Sequence, residues 1–531
     1  MKRKIIVMLP AFNAEKTLTV FLKKLNKHFT GEIILVDDYS SDNTFKLASK
    51  NKNLKVFRNI RNLGYGGNIK SCLFYVLERG ADIIIEIHPD GEYDPEVIPE
   101  AIKKVEEGKL FVLGNRFGKK KSSGIFYWKY LVIKFLNKID KRIIGTEISD
   151  LHQGFRVYTK DMFEKLNLQN TANDYSFSFE IIIKSVLLKI PIGEVDVKSS
   201  YSGRKRGVSL VNGLIYGLKT FRILLLFKLH KLDYKTKIFS MHKSKKICKL
   251  CNIPFFTIEK FSFGIFKVFY CSYCLIGFTD PVPKNMNKYY SGSYWEYGGF
   301  LGFSKNFLFN IFQRRREKWI KKFLVRGEIL DVGSGEADFA KRMNGRLNVM
   351  SLEPEFSKVN NSSVIKKDFL KFSTKIKFDA IVFWESFEHI DKPKEYLNKA
   401  RSLLKPNGLI FIEYPRFNSL EANIFGKSWF HLDIPRHIFH FSDNGMKSLL
   451  ERNKFRMIKK ERVLAPEYSI WGFVASLISF SLSKGGKRPM NLLIIGITFP
   501  LLFFAIITEI LLFTLGGSPI GLIVAKRDED R

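Results

Sequence analysis

No apolar leader opens this chain of 531 residues. The start, MKRKIIVMLPAFNAEKTL, is basic, but its apolar run is five residues long and is interrupted by Pro10, Asn13 and Glu15. That is too short for the core of a signal peptide, so the stretch reads as a first strand. Cysteine is scarce: of five, four lie in two Cys-x-x-Cys pairs. This excludes a disulfide framework and points to a metal site in a reducing compartment. Acids are short too, with 52 Asp and Glu against 88 Lys and Arg, a formal net charge of +36. Such a balance suits an anionic membrane surface, phosphorylated substrates or nucleic acid. A Lys-, Ile-, Asn- and Phe-rich usage imposed by an AT-rich genome explains it equally well. A basic arm and an RNA-binding motif are both missing, so nucleic acid is not expected as a partner. Apolar content of 45% excludes wholesale disorder. The length calls for roughly two to four domains.

What is present begins with strand–helix alternation. KIIVMLPAFN, GEIILVDDYSSDNT, LKVFRN and ADIIIEIH read as strands, with helical spacing between them. This predicts an α/β fold with a parallel, doubly wound sheet whose ligands bind beyond the strands' carboxyl ends. Polar residues gather at those ends: Asn13 and Glu15, Asp37 and Asp38, Asn62 and Gly64, His88 and Asp90. The densest group is HPDGEYDP, directly after an apolar run.

In their order, the blocks LPAFNAEKTL, ILVDDYSSDNT, NLGYGGNI, HPDGEYDPE, LGNRF and DLHQGFRVY resemble those of family-two inverting glycosyltransferases. The branch of dolichyl-phosphate mannose or glucose synthases looks similar over roughly residues 4–230. The resemblance implies a GT-A fold, with Pro10, Phe12, Asn13, Glu15 and Asp38 around the nucleoside of a nucleotide-sugar donor and Asn62 and Gly64 in a neighbouring block. It implies a divalent cation, Mg²⁺ or Mn²⁺, at His88, Asp90 and Glu92, which match an Asp-x-Asp-x-Gln pattern. Asp90 is the retained ligand, and a histidine at position 88 shifts preference toward Mn²⁺. Arg116 matches a clamp on the acceptor phosphate. Arg204, Lys205 and Arg206 form a cationic loop suited to diphosphate or lipid phosphate. Asp150 is the candidate base should the acceptor be a sugar hydroxyl. Residues 119–144 and 208–232 are basic amphipathic stretches suited to lying on a bilayer or to packing in the core.

Cys248, Cys251, Cys271 and Cys274 are spaced C-x2-C-x19-C-x2-C, which predicts a structural Zn²⁺ bound by four thiolates in a ribbon. Cys72 reads as core. Downstream, GEILDVGSGEADFAKRM is a strand, a glycine turn and a helix, and Glu353 ends the next strand twenty residues past Gly333. With SLEPE, KKDFL, FDAIVFWESFEHIDKP and LLKPNGLIFIEYP it resembles class I S-adenosylmethionine-dependent methyltransferases over about 327–466. The resemblance implies Asp331, Gly333, Gly335 and Glu353 around the methyl donor and Asp368 near adenine. A dinucleotide site is disfavoured because Asp338 stands where a third glycine would be. Glu388, His389, His431, His437 and His440 cluster in this half, and His437 is the candidate base.

NLLIIGITFPLLFFAIITEILLFTLGG, residues 491–517, is long enough to span a bilayer. Lys484, Lys487 and Arg488 precede it, and a double crossing would put them on the wrong side. A re-entrant or interfacial helical pair is therefore expected first, with a single span and a buried soluble hairpin as alternatives, followed by PIGLIVAKR as a last strand of the methyltransferase sheet. The expected division is 1–235 glycosyltransferase, 236–245 linker, 246–285 zinc ribbon, 286–466 methyltransferase, 467–515 apolar pair and 516–531 strand and tail. The expected function is bifunctional glycoconjugate assembly at the cytoplasmic face of the cell membrane. A sugar passes to a polyprenyl phosphate or lipid-linked glycan, and a sugar or related small group is methylated. The alternatives are a soluble or polysaccharide acceptor, or a scaffold with one inactive domain.

Overall fold

Apolar residues at successive positions, rather than alternate ones, mark the strands of the first half. In β1 (Ile5–Ala11), Ile6 and Met8 are buried on one face and Val7, Leu9 and Ala11 on the other. Both faces of such a sheet must be covered by helices. The structure, a computed structural model, describes residues 3–118, 127–200, 210–232, 236–239, 246–289, 314–343, 347–355, 359–463 and 517–528, with scattered positions between. It divides into two units, Met1–Ile247 with Ile253–Phe256, and Cys248–Asn252 with Thr257–Arg531.

In the first unit, β1 is joined by β2 (Glu32–Asp37), β3 (Leu54–Arg58), β4 (Ile83–Glu86), β5 (Phe111–Asn115), β6 (Arg156–Thr159) and β7 (Ile192–Asp196). The order is β3-β2-β1-β4-β6-β5-β7. The expectation of a wholly parallel sheet is corrected, giving a GT-A-like mixed sheet. β6 runs antiparallel to β4 and β5, with Glu86 opposite Arg156. Local alternation of strand and helix carries no direction for so short a strand. The direction shows only in a long-range pairing, which sets the buried Arg156 against the buried Glu86. Cys72, on the helix Tyr65–Glu78, is core. Phe239, inside the stretch read as a linker, is fully buried in this unit's core.

The two amphipathic stretches are the helices α5 (Tyr127–Ile144) and α8 (Leu210–Lys231), where the numbers count this unit's α-helices in chain order. α5 is inverted. Its buried positions include the polar Asn137 and Asp140, while Leu131, Val132, Phe135, Leu136 and Ile139 face out, Phe135 at 64% exposure. α8 buries Ile223, Leu224 and Phe227 but exposes Leu214, Leu218, Phe221 and Leu225.

In the second unit, β8 (Thr257–Phe263), β9 (Phe266–Cys271) and β10 (Ile276–Asp280) form the ribbon. Its sheet takes a fourth strand, β16 (Phe439–Phe441), beside β10. The main sheet contains β11 (Gly327–Val332), β12 (Leu347–Glu353), β13 (Val364–Lys366), β14 (Phe378–Trp384), β15 (Leu404–Pro415), β17 (Phe455–Val463) and β18 (Ile520–Arg527). Their order is β13-β12-β11-β14-β15-β18-β17, with β18 antiparallel to both neighbours. The apolar pair expected at 467–515 lies almost wholly outside the described residues. Among the described residues no helix is long and apolar enough to cross a membrane.

Candidate functional site

The carboxyl ends of β1, β2 and β4 converge in the first unit. Asn13 sits in left-handed backbone (φ 49°), and its Oδ1 accepts the Ser41 N–H at 3.0 Å. Glu15 accepts from Asn43 N (3.1 Å) and Nδ2 (2.8 Å). Pro10 is buried at the end of β1, and Phe12 is exposed. Asp38 turns inward and accepts from Asn59 Nδ2, Leu63 N and Gly64 N at 2.8–3.0 Å. It therefore ties the Asn62–Gly64 block to the second strand, and Asn62 Oδ1 also receives the Gly64 N–H (2.9 Å). Burial pushes the Asp38 carboxyl up despite those donors.

The acidic turn after β4 is held at both ends. Asp90 Oδ1 accepts the Glu92 N–H (2.9 Å), and Glu92 O accepts the Ser200 N–H (2.8 Å). Tyr93 Oη accepts the Gly154 N–H at 2.8 Å. The cationic loop with Arg204 begins just beyond Ser200 and lies outside the described residues. His88 is tied to the strand it follows. Its Nε2 donates to Glu86 Oε1 (3.3 Å), which would leave Nδ1 as the nitrogen able to meet a cation. Burial would lower the imidazole's pKa, but the hydrogen bond to Glu86 and its charge raise it. Glu86 was not anticipated. Fully buried, it accepts from Tyr65 Oη (2.8 Å), Arg156 Nη1 (3.3 Å) and Tyr158 Oη. Burial pushes its carboxyl up, and Arg156 and His88 outweigh this and hold it below the usual range. An acid inside an apolar strand was the signal available.

Arg116 and Asp150, expected as separate groups, are one bidentate pair. Nε reaches Oδ2 at 2.7 Å and Nη2 reaches Oδ1 at 3.0 Å. Asp150 is fully buried, and although burial pushes its carboxyl up, Arg116 holds it below the usual range. The pairing occupies both Asp150 oxygens and fixes the plane of the guanidinium. The segment beyond it is anchored to α5: Leu151 N donates to Asn137 Oδ1 (2.9 Å), and His152 Nε2 to Asp140 Oδ2 (2.9 Å). His152 Nδ1 accepts from Tyr216 Oη of α8 at 3.0 Å.

With this geometry in hand, comparison with known proteins finds the glycosyl transferase family 2 model matching residues 6–167. An uncharacterized protein of Methanocaldococcus jannaschii is 30% identical over 216 residues, covering 40% of this chain and 88% of that protein. The chain belongs to glycosyl transferase family 2. A methyltransferase domain model matches residues 305–460, so the family-2 chain carries a second enzyme. The UDP-N-acetylglucosamine–dolichyl-phosphate N-acetylglucosaminyltransferase of Methanococcus voltae is similar, at 28% identity over 245 residues, 43% of this chain and 97% of that one. The polyprenol monophosphomannose synthase of Mycolicibacterium smegmatis is 24% identical over 216 residues, 39% of this chain and 81% of that one.

In the methyltransferase unit, Gly333 (φ 78°) and Gly335 (φ 56°) both require left-handed backbone. A Cβ on Gly333 would stand 2.6 Å from Ser386 Cβ. Glu353 Oε1 accepts the Gly335 N–H at 2.6 Å, and Asp368 caps its own turn through Leu370 N (2.8 Å). Asp331 is buried with no hydrogen-bond partner on either oxygen, and burial pushes its carboxyl up to about 7. The four ribbon cysteines bring their sulfurs together, with Cys248 to Cys274 at 4.0 Å and Cys251 to Cys271 at 3.8 Å.

The histidines of this unit part company. His440 Nε2 donates to Thr279 Oγ1 (3.0 Å), inside the ribbon sheet, and burial lowers its pKa to about 3. His437 Nδ1 donates to His431 O (2.8 Å), and burial, then His389, keep it neutral. Glu388 is buried with neither oxygen hydrogen-bonded, and burial and then Glu385 push its carboxyl well up.

Proposed function

We propose that the first unit transfers a sugar, with inversion, from a nucleoside-diphosphate donor to a polyprenyl phosphate or lipid-linked glycan at the cytoplasmic face of the cell membrane. One observation carries this: the helix that positions the arginine pair is apolar on the outside. α5 spends its polar Asn137 and Asp140 on the segment 151–152 next to Asp150, leaving five large apolar residues exposed. Lys134 and Lys138 are exposed among them. Soluble surfaces seldom carry such a patch, and a bilayer would cover it while the lysines meet anionic headgroups. Relatives named for dolichyl phosphate and for polyprenol support the acceptor class.

In this reading, the loops around Pro10, Phe12, Asn13, Glu15 and Asp38 hold the nucleoside, and Asn62 and Gly64 border it. Asp90 and Glu92 would hold Mg²⁺ or Mn²⁺, which when bound neutralises the charge developing on the leaving diphosphate. Arg116, aligned by Asp150, binds the acceptor phosphate with Arg204. A phosphate is already a competent nucleophile, so no base is needed.

The second unit transfers a methyl group from S-adenosylmethionine to a sugar or related group of the same pathway. Asp331 supports this, since an orphaned buried carboxylate fits a donor carrying a cationic amino group. The thiolate cluster fits structural Zn²⁺. Zn–S bonds of about 2.3 Å in a tetrahedron put sulfurs about 3.8 Å apart, and the observed separations are 3.8 and 4.0 Å.

The test uses purified full-length protein, labelled UDP- and GDP-sugars, and either vesicles carrying polyprenyl phosphate or soluble sugars. Label should enter the lipid. Combining Leu131→Ser, Phe135→Ser and Ile139→Ser should cut lipid transfer about tenfold or more, since each buried side chain is worth about 1.5–3 kcal/mol. Melting should not change. Preferential transfer to soluble sugars would overturn the proposal.

A further inference from the structure

The methyltransferase unit contains a cluster that neither its fold nor the ribbon explains. Glu388 and His389 lie on the short 3-10 turn Phe387–His389 after β14. His437 comes from the segment leading into β16, and that segment is held in place, because Ile438 N donates to Glu388 O at 2.9 Å. One carboxylate oxygen and one nitrogen from each imidazole lie within 4.8 Å of one another.

The hydrogen bonding decides how this cluster is read. His389 Nδ1 lies 3.0 Å from Arg436 O, and His437 Nδ1 lies 2.8 Å from His431 O. A carbonyl only accepts, so each Nδ1 must carry the proton, and each ring's lone pair is on Nε2. An imidazole fixed through Nδ1–H to a backbone carbonyl is the usual outer-shell support of a metal-binding histidine. The two rings meet edge to face with centroids 4.6 Å apart, and Glu388 beside them is 1% exposed with neither oxygen hydrogen-bonded. Its nearest basic group is His437 Nε2, 3.9 Å from Oε1. Asp433 Oδ2 is 3.8 Å from the same nitrogen. A bare carboxylate buried without donors costs several kcal/mol, so such a group either takes up a proton or meets a cation. Glu385, at the end of the same strand, is held in left-handed backbone (φ 53°) with a buried, unbonded Oε1. Strain of that kind in a non-glycine residue gathers at functional sites.

We infer that Glu388, His389 and His437 bind a divalent metal ion, as a site separate from the four thiolates. Two imidazoles and one carboxylate select borderline cations, Mn²⁺, Fe²⁺, Co²⁺ or Zn²⁺, over Ca²⁺. Three protein ligands leave coordination positions for other molecules, unlike the closed thiolate set. The site borders the methyl-donor loop, since Ser386, two residues before Glu388, donates through Oγ to Val332 O at 2.7 Å and packs on Gly333.

The test is Mn²⁺ titration followed by electron paramagnetic resonance. It uses the full-length chain carrying Asp90→Asn, which removes the sugar-transfer ligand, after dialysis against a chelator too weak to strip four thiolates. One Mn²⁺ per chain should bind. Adding Glu388→Gln or His437→Gln should weaken it at least about 100-fold, beyond what loss of an outer-shell partner costs. Binding of S-adenosylmethionine to each variant reports that the unit is folded. Glu388→Gln, of the same shape, carries the test should the imidazole replacement not fold. No Mn²⁺ on the Asp90→Asn protein, or equal binding after Glu388→Gln, would overturn the site.

Discussion

Glu86 with His88 and Glu388 with His389 and His437 occupy the same place in two different sheets, the carboxyl end of the central strand after β1 or β11. Their chemistry is opposite. In the first unit the histidine gives its Nε2 proton to the glutamate, and two tyrosines and an arginine complete the set. Every charge there is answered by the protein itself. In the second unit both histidines give their Nδ1 protons to backbone carbonyls, and the glutamate has no donor. That group is complete only with something added. The same residue types at one topological position surround a glutamate that meets four donors in one case and none in the other. Whether the glutamate has donors tells them apart, since a carboxylate supports a ligating histidine as well as a carbonyl does.

The ribbon gives the largest way to break this contrast. Thr279 of β10 donates its Oγ1 proton to His437 O (2.7 Å) and its N–H to Ile438 O (2.8 Å), so the ribbon sheet carries the third ligand of the cluster. Replacing Cys248 and Cys251 with serine should lower zinc from about one per chain to none. Mn²⁺ binding at Glu388 should fall with it, while sugar transfer and S-adenosylmethionine binding stay within a few-fold. Metal analysis and titration check this. Intact Mn²⁺ binding without zinc would separate the ribbon from the cluster.

Paired substitutions at the two glutamates come next. Glu86→Gln leaves Arg156 without its buried counter-charge and should cost about 3–5 kcal/mol. In chelator, Glu388→Gln should change stability far less, because burial already pushes that carboxyl up toward its neutral form and no ion pair is broken. Denaturant melts read both. Destabilisation at both sites would mean that Glu388 is satisfied after all.

His88→Asn should have a smaller, pH-dependent effect. The folded pKa of His88 is raised above 6.5, so its contribution is fully present below about pH 6.5 and is lost as pH climbs through the raised value. The melting difference from wild type should be greatest near pH 6 and shrink toward pH 9. A difference that grows with pH would refute the Glu86 pairing.

Much of this was legible in the chain. β-branched runs gave the strands, the spacing of Cys248 to Cys274 gave the thiolate cluster, and PIGLIVAKR gave an edge-side strand of the second sheet. The block order pointed to both enzymes. What escaped was long-range pairing. The reversal of β6 depends on Arg156 meeting Glu86, and Asp150 reads as a base until Arg116 is seen lying across it. The inversion of α5 was equally hidden, because amphipathicity shows that a helix has two faces and not which one is buried. Asn137 and Asp140 turn inward, where they bond Leu151 N and His152 Nε2.

Transfer of label from nucleotide sugar to polyprenyl phosphate, wild type against Asp90→Asn, is the most direct measurement. Organic extraction of the vesicles should recover labelled lipid only with Mg²⁺ or Mn²⁺ present. Asp90→Asn should lower that transfer about a thousandfold, as expected when several kcal/mol of charge stabilisation are removed, with S-adenosylmethionine binding unchanged. Equal transfer by both proteins, or transfer undiminished by chelator, would contradict the assignment of the acidic turn as the centre of sugar transfer.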